Sequence, residues 1–382
     1  MNNEVFDGNY RFNLKDFLFK ILAGSAQGIL IGVLPSAILK YVLRPFIQSG
    51  MHWAISLNAI LVLFSSFIPL LIGLAIAMQF KMKALDVGVL TIAVGAASGS
   101  IKWAVAPAGF VNPVSGLALK APASVYIAAG AGDVINAMIV SAIGVLVIWL
   151  VYKYLWGFGA LAIILSPLVI GGGVGLLGLT IAPVVGNVTT WLGNLVEYFT
   201  TLLPIPMSIL IAMAFSFIII TPVSTVGIAL AISLAGLGSG AAGVGVIATT
   251  VILLINSVKV NKKGTSIAIF LGAMKGMMPS VFKRPQMILS FLLTAAISAI
   301  PVALFNVQGT PTTAGFGWIG MVSPIQSSVM DTADKAFQTH TVSPMIAILV
   351  FFVVPIIAGL LSDFLFTKVI KLYKPTDLQQ EL

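Results

Sequence analysis

Side chains that can move a proton are scarce in this sequence, so each one inside an apolar run is a candidate for function. Glu4 and Glu381 lie near the chain ends, which leaves Glu197, in Asn194-Leu-Val-Glu-Tyr198, as the one interior glutamate. It either faces water from an interfacial helix or contacts a ligand inside the membrane. Asp133 opens an apolar run, with Asn136 one turn later. A carboxylate in that place can cap a helix, or it can accept hydrogen bonds from ligand hydroxyls beside the Asn136 amide. Lys102 follows Ser98-Gly-Ser100 and is deep in apolar sequence for a base. It either snorkels to a surface or holds an anionic solute. Asp331, Asp334, Lys335 and His340 form a later cluster, read as a solvated loop or as a carboxylate–imidazole proton pair. Asp86 beside Lys81 and Lys83, and Asp363 near Lys368, read as interfacial ion pairs.

What is missing narrows the chemistry further. There is no Cys, hence no disulfide, thiolate metal site or cysteine nucleophile, and His52 and His340 are the two histidines. No His-Glu-x-x-His run occurs. No metal and no cofactor is expected. Neutral groups carry more weight: Gln27, Asn58, Asn187, Asn256, Ser98, Ser100, Thr312 and Thr313 lie in or beside apolar runs. Trp103, Phe110, Phe316 and Trp318 offer ring faces, and Gly109 and Gly315 permit close backbone approach. Such a set suits recognition of an uncharged polar ligand by amide, hydroxyl and aromatic contacts.

The elements that must position these residues are membrane helices. The chain has 382 residues, 59% hydrophobic and 8% charged, with a mean hydropathy of +1.10. Soluble domains carry roughly 25% charge. The composition excludes a soluble enzyme, a nucleic-acid-binding domain and a disordered chain. The net charge of +9 sits at the ends of apolar runs, where it marks cytoplasmic loops and no nucleic-acid partner. The first 20 residues mix acids and bases and do not read as a signal peptide. A crossing needs about 20 apolar residues. On that measure the spans run over 17–40, 53–80, 84–106, 134–152, 161–179, 206–234, 240–258, 287–305 and 344–367. An amphipathic stretch at 184–203 and a short one at 267–278 read as interfacial or re-entrant. Basic clusters at Lys259–Lys263, Lys283–Arg284 and Lys368–Lys374 put the C-terminus in the cytoplasm, and Arg11, Lys15 and Lys20 do the same for the N-terminus. Both termini inside requires an even number, so nine or ten spans are expected, with ten favoured.

Two Pro/Gly-rich segments interrupt this pattern, Ala106–Gly116 and Thr310–Gly320. Short elements recur in a common order around them. Gly28–Pro35 resembles Gly175–Pro183, Gly95–Ser100 resembles Gly236–Ala241, and Pro107-Ala-Gly-Phe110 resembles Thr313-Ala-Gly-Phe-Gly317. Paired halves with interrupted segments in matching positions are a mark of transporters, whose solute sits between the breaks. Backbone that leaves helix inside a bilayer must be buried in protein or line a cavity, so both segments are expected to be re-entrant; ordinary surface loops are the alternative.

Gly95-Ala-Ala-Ser-Gly-Ser-Ile-Lys102, Ala106-Pro-Ala-Gly-Phe110, Ile255-Asn-Ser-Val-Lys259 and Gly309-Thr-Pro-Thr-Thr-Ala-Gly-Phe-Gly317, with Gly320 and Pro324, carry a resemblance. The chain resembles the PfoR-type, or type 2 enzyme IIC-like, membrane proteins of the phosphoenolpyruvate:sugar phosphotransferase system, from about Phe17 to Lys374. The resemblance implies an all-α polytopic membrane protein of two related halves, each with a re-entrant hairpin before its last helix. The corresponding parts are a cytoplasmic tail at 1–16, a first repeat at 17–155, a second at 156–373 and a cytoplasmic tail at 374–382. It implies a permease for a small polar solute, a sugar, in the bacterial cell membrane, working by alternating access. The subunit would be a homodimer in lipid, served by separate IIB and IIA phosphotransfer proteins. The sugar-binding Gly-Ile-Thr-Glu-type loop of better-known members is absent, and no fused IIB domain is expected. H⁺- or Na⁺-coupled transport without phosphorylation, and a ligand sensor that moves nothing, are the alternatives. The expected solute contacts are Ser98, Ser100, Lys102, Gly109, Phe110, Asp133, Asn136, Glu197, Thr312, Thr313, Gly315 and Phe316.

Overall fold

The apolar runs become helices because a helix satisfies its own backbone polar groups. A computed structural model describes residues 12–111, 116–128, 130–154, 164, 166–221, 223–330, 335 and 337–379. The chain is mostly helical and divides into two units, Met1–Ser36 with Pro45–Gly186 and Ala37–Arg44 with Asn187–Leu382. Among the described residues, five helices are long and apolar enough to cross a membrane, or six if one bent pair counts as a span. That is fewer than nine or ten. Several expected spans are interrupted: the run from Ala84 stops as a helix at Ala97 and continues as a strand, and the run over 206–234 is split in two.

The first unit begins with α1 (Leu14–Gln48), capped by Asn13, whose Oδ1 accepts from the Lys15 N–H at 2.9 Å. Pro35 and Pro45 lie within α1 without ending it, contrary to the expected interruption at Pro35. Helices α2 (His52–Ser66) and α3 (Ile68–Gln79) form the bent pair, turned by 55°. Pro69 accounts for the bend, since it lacks an N–H and crowds the preceding turn. Gly24 and Gly28, one turn apart on α1, meet the backbone of α3: a Cβ on Gly28 would lie 2.5 Å from the Ile72 nitrogen. Small residues at this spacing let two helices approach closely. Helix α4 (Ala84–Ala97) packs on α3, with a Gly73 Cβ falling 3.1 Å from Thr91 Cα.

Strands β1 (Ile101–Ala106) and β2 (Ala123–Ala128) follow, antiparallel, with Trp103 opposite Tyr126 and Ala106 opposite Ala123. The chain then enters α5 (Val134–Tyr154) and α6 (Ser166–Leu202). The expected span at 161–179 and the amphipathic stretch at 184–203 are thus parts of one helix where the structure describes them. Asp86 on α4 is buried and accepts from the Tyr152 hydroxyl at 2.6 Å.

The second unit is built around α9 (Gly236–Val260), whose side chains are buried almost continuously from Gly238 to Leu253. Before it come α7 (Pro204–Ile218) and α8 (Thr225–Ala231). After it come α10 (Lys263–Leu271), α11 (Met278–Lys283), α12 (Pro285–Leu304), α13 (Val322–Ser328) and α14 (Pro344–Val369). A helix apolar on every side belongs in a core. Glycine allows it here: a Cβ on Gly245 would run into the carbonyl of Ala212 on α7. Ala212, Ala248, Ala295 and Ala299 form a small-residue core where α7, α9 and α12 meet.

The all-α expectation is corrected by the β-hairpin. Residues 101–111 and 116–128 form an exposed β-ribbon that includes Phe110, in the segment where a re-entrant hairpin was expected. The second interrupted segment is buried. Of the elements proposed to repeat, Gly95–Ser100 closes a helix whereas Gly236–Ala241 opens one, while Gly28–Pro35 and Gly175–Pro183 both lie within helices.

The glycine contacts make a prediction. Gly28→Ala should destabilise the protein by about 1–3 kcal/mol through overpacking. Gly88→Ala, with nothing near its missing Cβ, should be neutral or stabilising by up to about 1 kcal/mol. Thermal unfolding in detergent reads both, and equal midpoints for the two variants would refute the close α1–α3 contact.

Candidate functional site

The first-unit candidates separate into a buried joint and an exposed ribbon. Ser98 and Ser100 are buried, with their hydroxyls 3.0 Å apart, and Ser98 Oγ donates to the Gly95 carbonyl at 2.7 Å. The Asp133 N–H donates to the Ser98 carbonyl at 2.9 Å, and its carboxylate accepts from the Asn136 N–H at 2.9 Å. Asp133 thus does the work of a helix N-cap. Asn136 is wholly buried and donates from Nδ2 to the carbonyls of Ala97 (2.9 Å) and Gly178 (3.3 Å). Gly132, at φ +63°, admits no Cβ, which would lie 2.7 Å from the Ser98 carbonyl oxygen. These contacts tie together the end of α4, the start of α5 and α6. Lys102, Gly109 and Phe110 are exposed on the ribbon, Lys102 at its base beside Gly99. Glu197 lies in α6, and its side chain is outside the described residues, as are Asp331 and Asp334.

In the second unit the interrupted segment is held as an irregular, buried loop. Thr313 is its hub. Its hydroxyl accepts from the Thr310 N–H and lies 3.0 Å from the Thr310 hydroxyl and from the Thr310 carbonyl oxygen. The Thr310 hydroxyl is also 3.0 Å from that of Thr312, which is exposed. Three neighbouring elements anchor the loop. Ser239 on α9 donates to the Thr310 carbonyl at 3.0 Å, Thr225 on α8 donates to the Gly315 carbonyl at 2.8 Å, and Ser323 on α13 accepts from the Gly317 N–H at 3.0 Å. Gly236 and Gly309 exchange backbone hydrogen bonds of 2.9 and 3.1 Å. Gly315, at φ +77°, lies against Thr225, where a Cβ would fall 2.9 Å from its carbonyl carbon. Phe316 is fully buried, and Trp318 stacks on Phe352 while its indole N–H donates to the Phe351 carbonyl at 2.9 Å. Neither ring offers an open face in this state.

Sequence reasoning named the loop but missed its supports. Gln326 donates from Nε2 to Gln338 Oε1 at 2.7 Å, and Gln338 donates back to the Gln326 carbonyl at 3.1 Å, a buried amide pair just beyond the loop. Lys275, in the 3₁₀ turn Ala273–Met277, donates to the Val223 carbonyl at 2.6 Å, two residues before Thr225. Burial pushes its ammonium down from the usual 10.5 to about 8. A lone Lys between apolar residues gives no sequence signal of this.

A second polar node lies at the C-terminal end of α9. Asp363 pairs with Lys259 at 2.9 Å, not with Lys368, and accepts from Asn256 Nδ2 at 2.6 Å. The Tyr373 hydroxyl lies 3.1 Å from Asp363 and 3.2 Å from Ser290. Burial, with the Asp363 charge adding to it, pushes the Tyr373 phenol up. Among the described residues, no group of three or more His, Cys, Asp and Glu side chains can hold a metal.

The family described as Phosphotransferase system, EIIC matches residues 19–380, and the chain belongs to it. No curated protein and no solved structure matches the chain. Family membership makes this a multi-pass membrane permease domain with several apolar helices, and it implies phosphotransferase-system partner proteins and a sugar-like substrate.

Lys275 yields a pH prediction. Between about 8 and 10.5 the unfolded chain holds this proton and the folded chain releases it, so this group makes stability rise with pH through that window. Lys275→Met should flatten the rise. Chemical unfolding of both proteins from pH 7 to 10.5 measures it, and parallel curves would contradict the assignment.

Proposed function

We propose that this EIIC-family chain carries an uncharged, sugar-like solute, and that the second-unit loop from Gly309 to Trp318 supplies its contacts. The carrying observation is the buried, non-helical backbone of that loop, cross-linked by threonine and serine hydroxyls. Backbone of this kind is tolerated at membrane depth where protein buries it or where it lines a cavity, and its carbonyl, N–H and hydroxyl groups match the demands of sugar hydroxyls. Thr312 presents the exposed hydroxyl. Thr313 and Gly315 hold the backbone in place, and Phe316 closes the loop's apolar side.

The first-unit candidates are assigned differently. Ser98, Ser100, Asp133 and Asn136 position helix ends, each through the hydrogen bonds that the joint requires. Movement of the solute is by alternating access in a homodimer. Phosphoryl transfer falls to IIB and IIA partners, because the chain offers no cysteine to carry the group. The basic residues Lys259, Lys262, Lys263, Lys368 and Lys371, at the ends of α9 and α14, suit a cytoplasmic face.

Uptake of a panel of radiolabelled hexoses and disaccharides by proteoliposomes tests this, with purified phosphotransfer proteins in one arm and an H⁺ or Na⁺ gradient in another. Uptake is expected in the phosphotransfer arm. Thr312→Val should raise KM roughly three- to tenfold, the cost of one neutral hydrogen bond, with little change in Tm. Thr313→Val should lower Tm as well, since it leaves the buried Thr310 N–H without its partner. Uptake driven by the ion gradient alone would overturn the phosphotransfer assignment, and wild-type KM in Thr312→Val would remove the loop as the site.

A further inference from the structure

The β-hairpin poses a problem that the transport reading leaves untouched. A two-stranded ribbon has two open edges, and hydrocarbon leaves their N–H and C=O groups unsatisfied. The ribbon must therefore sit where water reaches it. Yet its faces are apolar and aromatic: Trp103 and Tyr126, directly opposite each other, are 68% and 79% exposed. Rings with one polar atom on an apolar body belong at the level of the lipid headgroups. That level satisfies both the ribbon edges and its rings.

A groove of about 700 Å³ runs from the base of this ribbon along the helices of the first unit. Its walls are apolar, with Leu70, Ile92 and Leu179 among them, and Ile92 and Leu179 are themselves open to the surroundings at 64% and 49%. Its ribbon end holds Lys102, Trp103 and Tyr126. The stem of Lys102 lies over Gly99, where a Cβ would be 3.9 Å from its Cε. No acidic residue occurs between 101 and 128, so the ribbon brings no charge of its own to neutralise Lys102. Among the described residues the Lys102 ammonium has no ion pair or hydrogen bond. One cation with two ring donors above an apolar trough is complementary to an amphiphile with an anionic head.

We infer that this groove binds an anionic phospholipid, with an acyl chain along Leu70, Ile92 and Leu179 and the headgroup phosphate against Lys102, beside Trp103 and Tyr126. The lipid would hold the ribbon at the membrane surface. This site shares no residue with the loop assigned to the solute, so it stands or falls independently of the transport reading.

The test uses the full chain, purified and delipidated in detergent, titrated with dioleoyl-phosphatidylglycerol or dioleoyl-phosphatidylcholine and read by native mass spectrometry. The phosphatidylglycerol is expected to bind more tightly. Lys102→Gln should weaken it about fivefold, the worth of roughly 1 kcal/mol for one lysine at an anionic lipid surface, and leave phosphatidylcholine unchanged. Lys120→Gln, on the same ribbon but outside the groove, should have little effect. Brominated acyl chains should quench tryptophan fluorescence less in Trp103→Phe than in the wild type. Equal losses in Lys102→Gln and Lys120→Gln would show a diffuse charge effect and overturn the site. So would equal affinity for the two lipids, or binding of glycerol 3-phosphate as tight as that of the phosphatidylglycerol.

Discussion

Hydrocarbon provides no hydrogen bonds, and most of what this chain does with its backbone answers to that constraint. A peptide group that leaves a helix must find a partner within the protein or stay where water reaches it. The two Pro/Gly-rich segments take opposite routes. The first becomes a β-ribbon whose strands satisfy each other along one edge each and leave the outer edges open. The second stays irregular and is enclosed, with its carbonyl and N–H groups met by Ser239, Thr225, Ser323 and Thr313. Among the described residues, the enclosed segment is the one whose polar groups are held by side chains from neighbouring helices.

Enclosure depends on how closely backbones can approach. Glycines on α9 let α7 and the loop lie directly against it, and the alanine cluster of α7, α9 and α12 keeps the same spacing. In the first unit Gly24 and Gly28 do this for α1 and α3. The gain is dispersion contact between main chains, since apolar side chains gain little by leaving lipid for one another. The high glycine content is thus a packing device before it is a source of flexibility.

Charge is handled in the same spirit. Asp86 and Asp363 are both buried, and each is met by a tyrosine hydroxyl; Asp363 also has the Asn256 amide and the Lys259 ammonium. A buried carboxylate is tolerable when hydrogen bonds replace its hydration. These aspartates accordingly look structural, joining helix ends. Asp133 is similar, occupied by the N–H of Asn136. Among the described residues, Asp86, Asp133 and Asp363 are thus each occupied by hydrogen bonds within the protein.

Composition alone decided that the solvent is lipid, because 8% charge cannot cover a soluble surface. It also placed the helices over 134–152, 240–258, 287–305 and 344–367 to within a few residues, since a long apolar run has one economical backbone state in hydrocarbon. The family was legible as well, carried by short glycine motifs and matched over 19–380. The fate of each interrupted segment was not legible. Ala108-Gly-Phe110 and Ala314-Gly-Phe316 are the same three residues, yet one is exposed on the β-ribbon and the other is a buried turn. The difference lies in which distant residues arrive beside them. Thr225, Ser239 and Ser323 come to the second from 90, 71 and 10 positions away. The first has its own strand partner close by in sequence. Local sequence sets what a segment can tolerate, and only tertiary contacts supply the partners that its polar groups require.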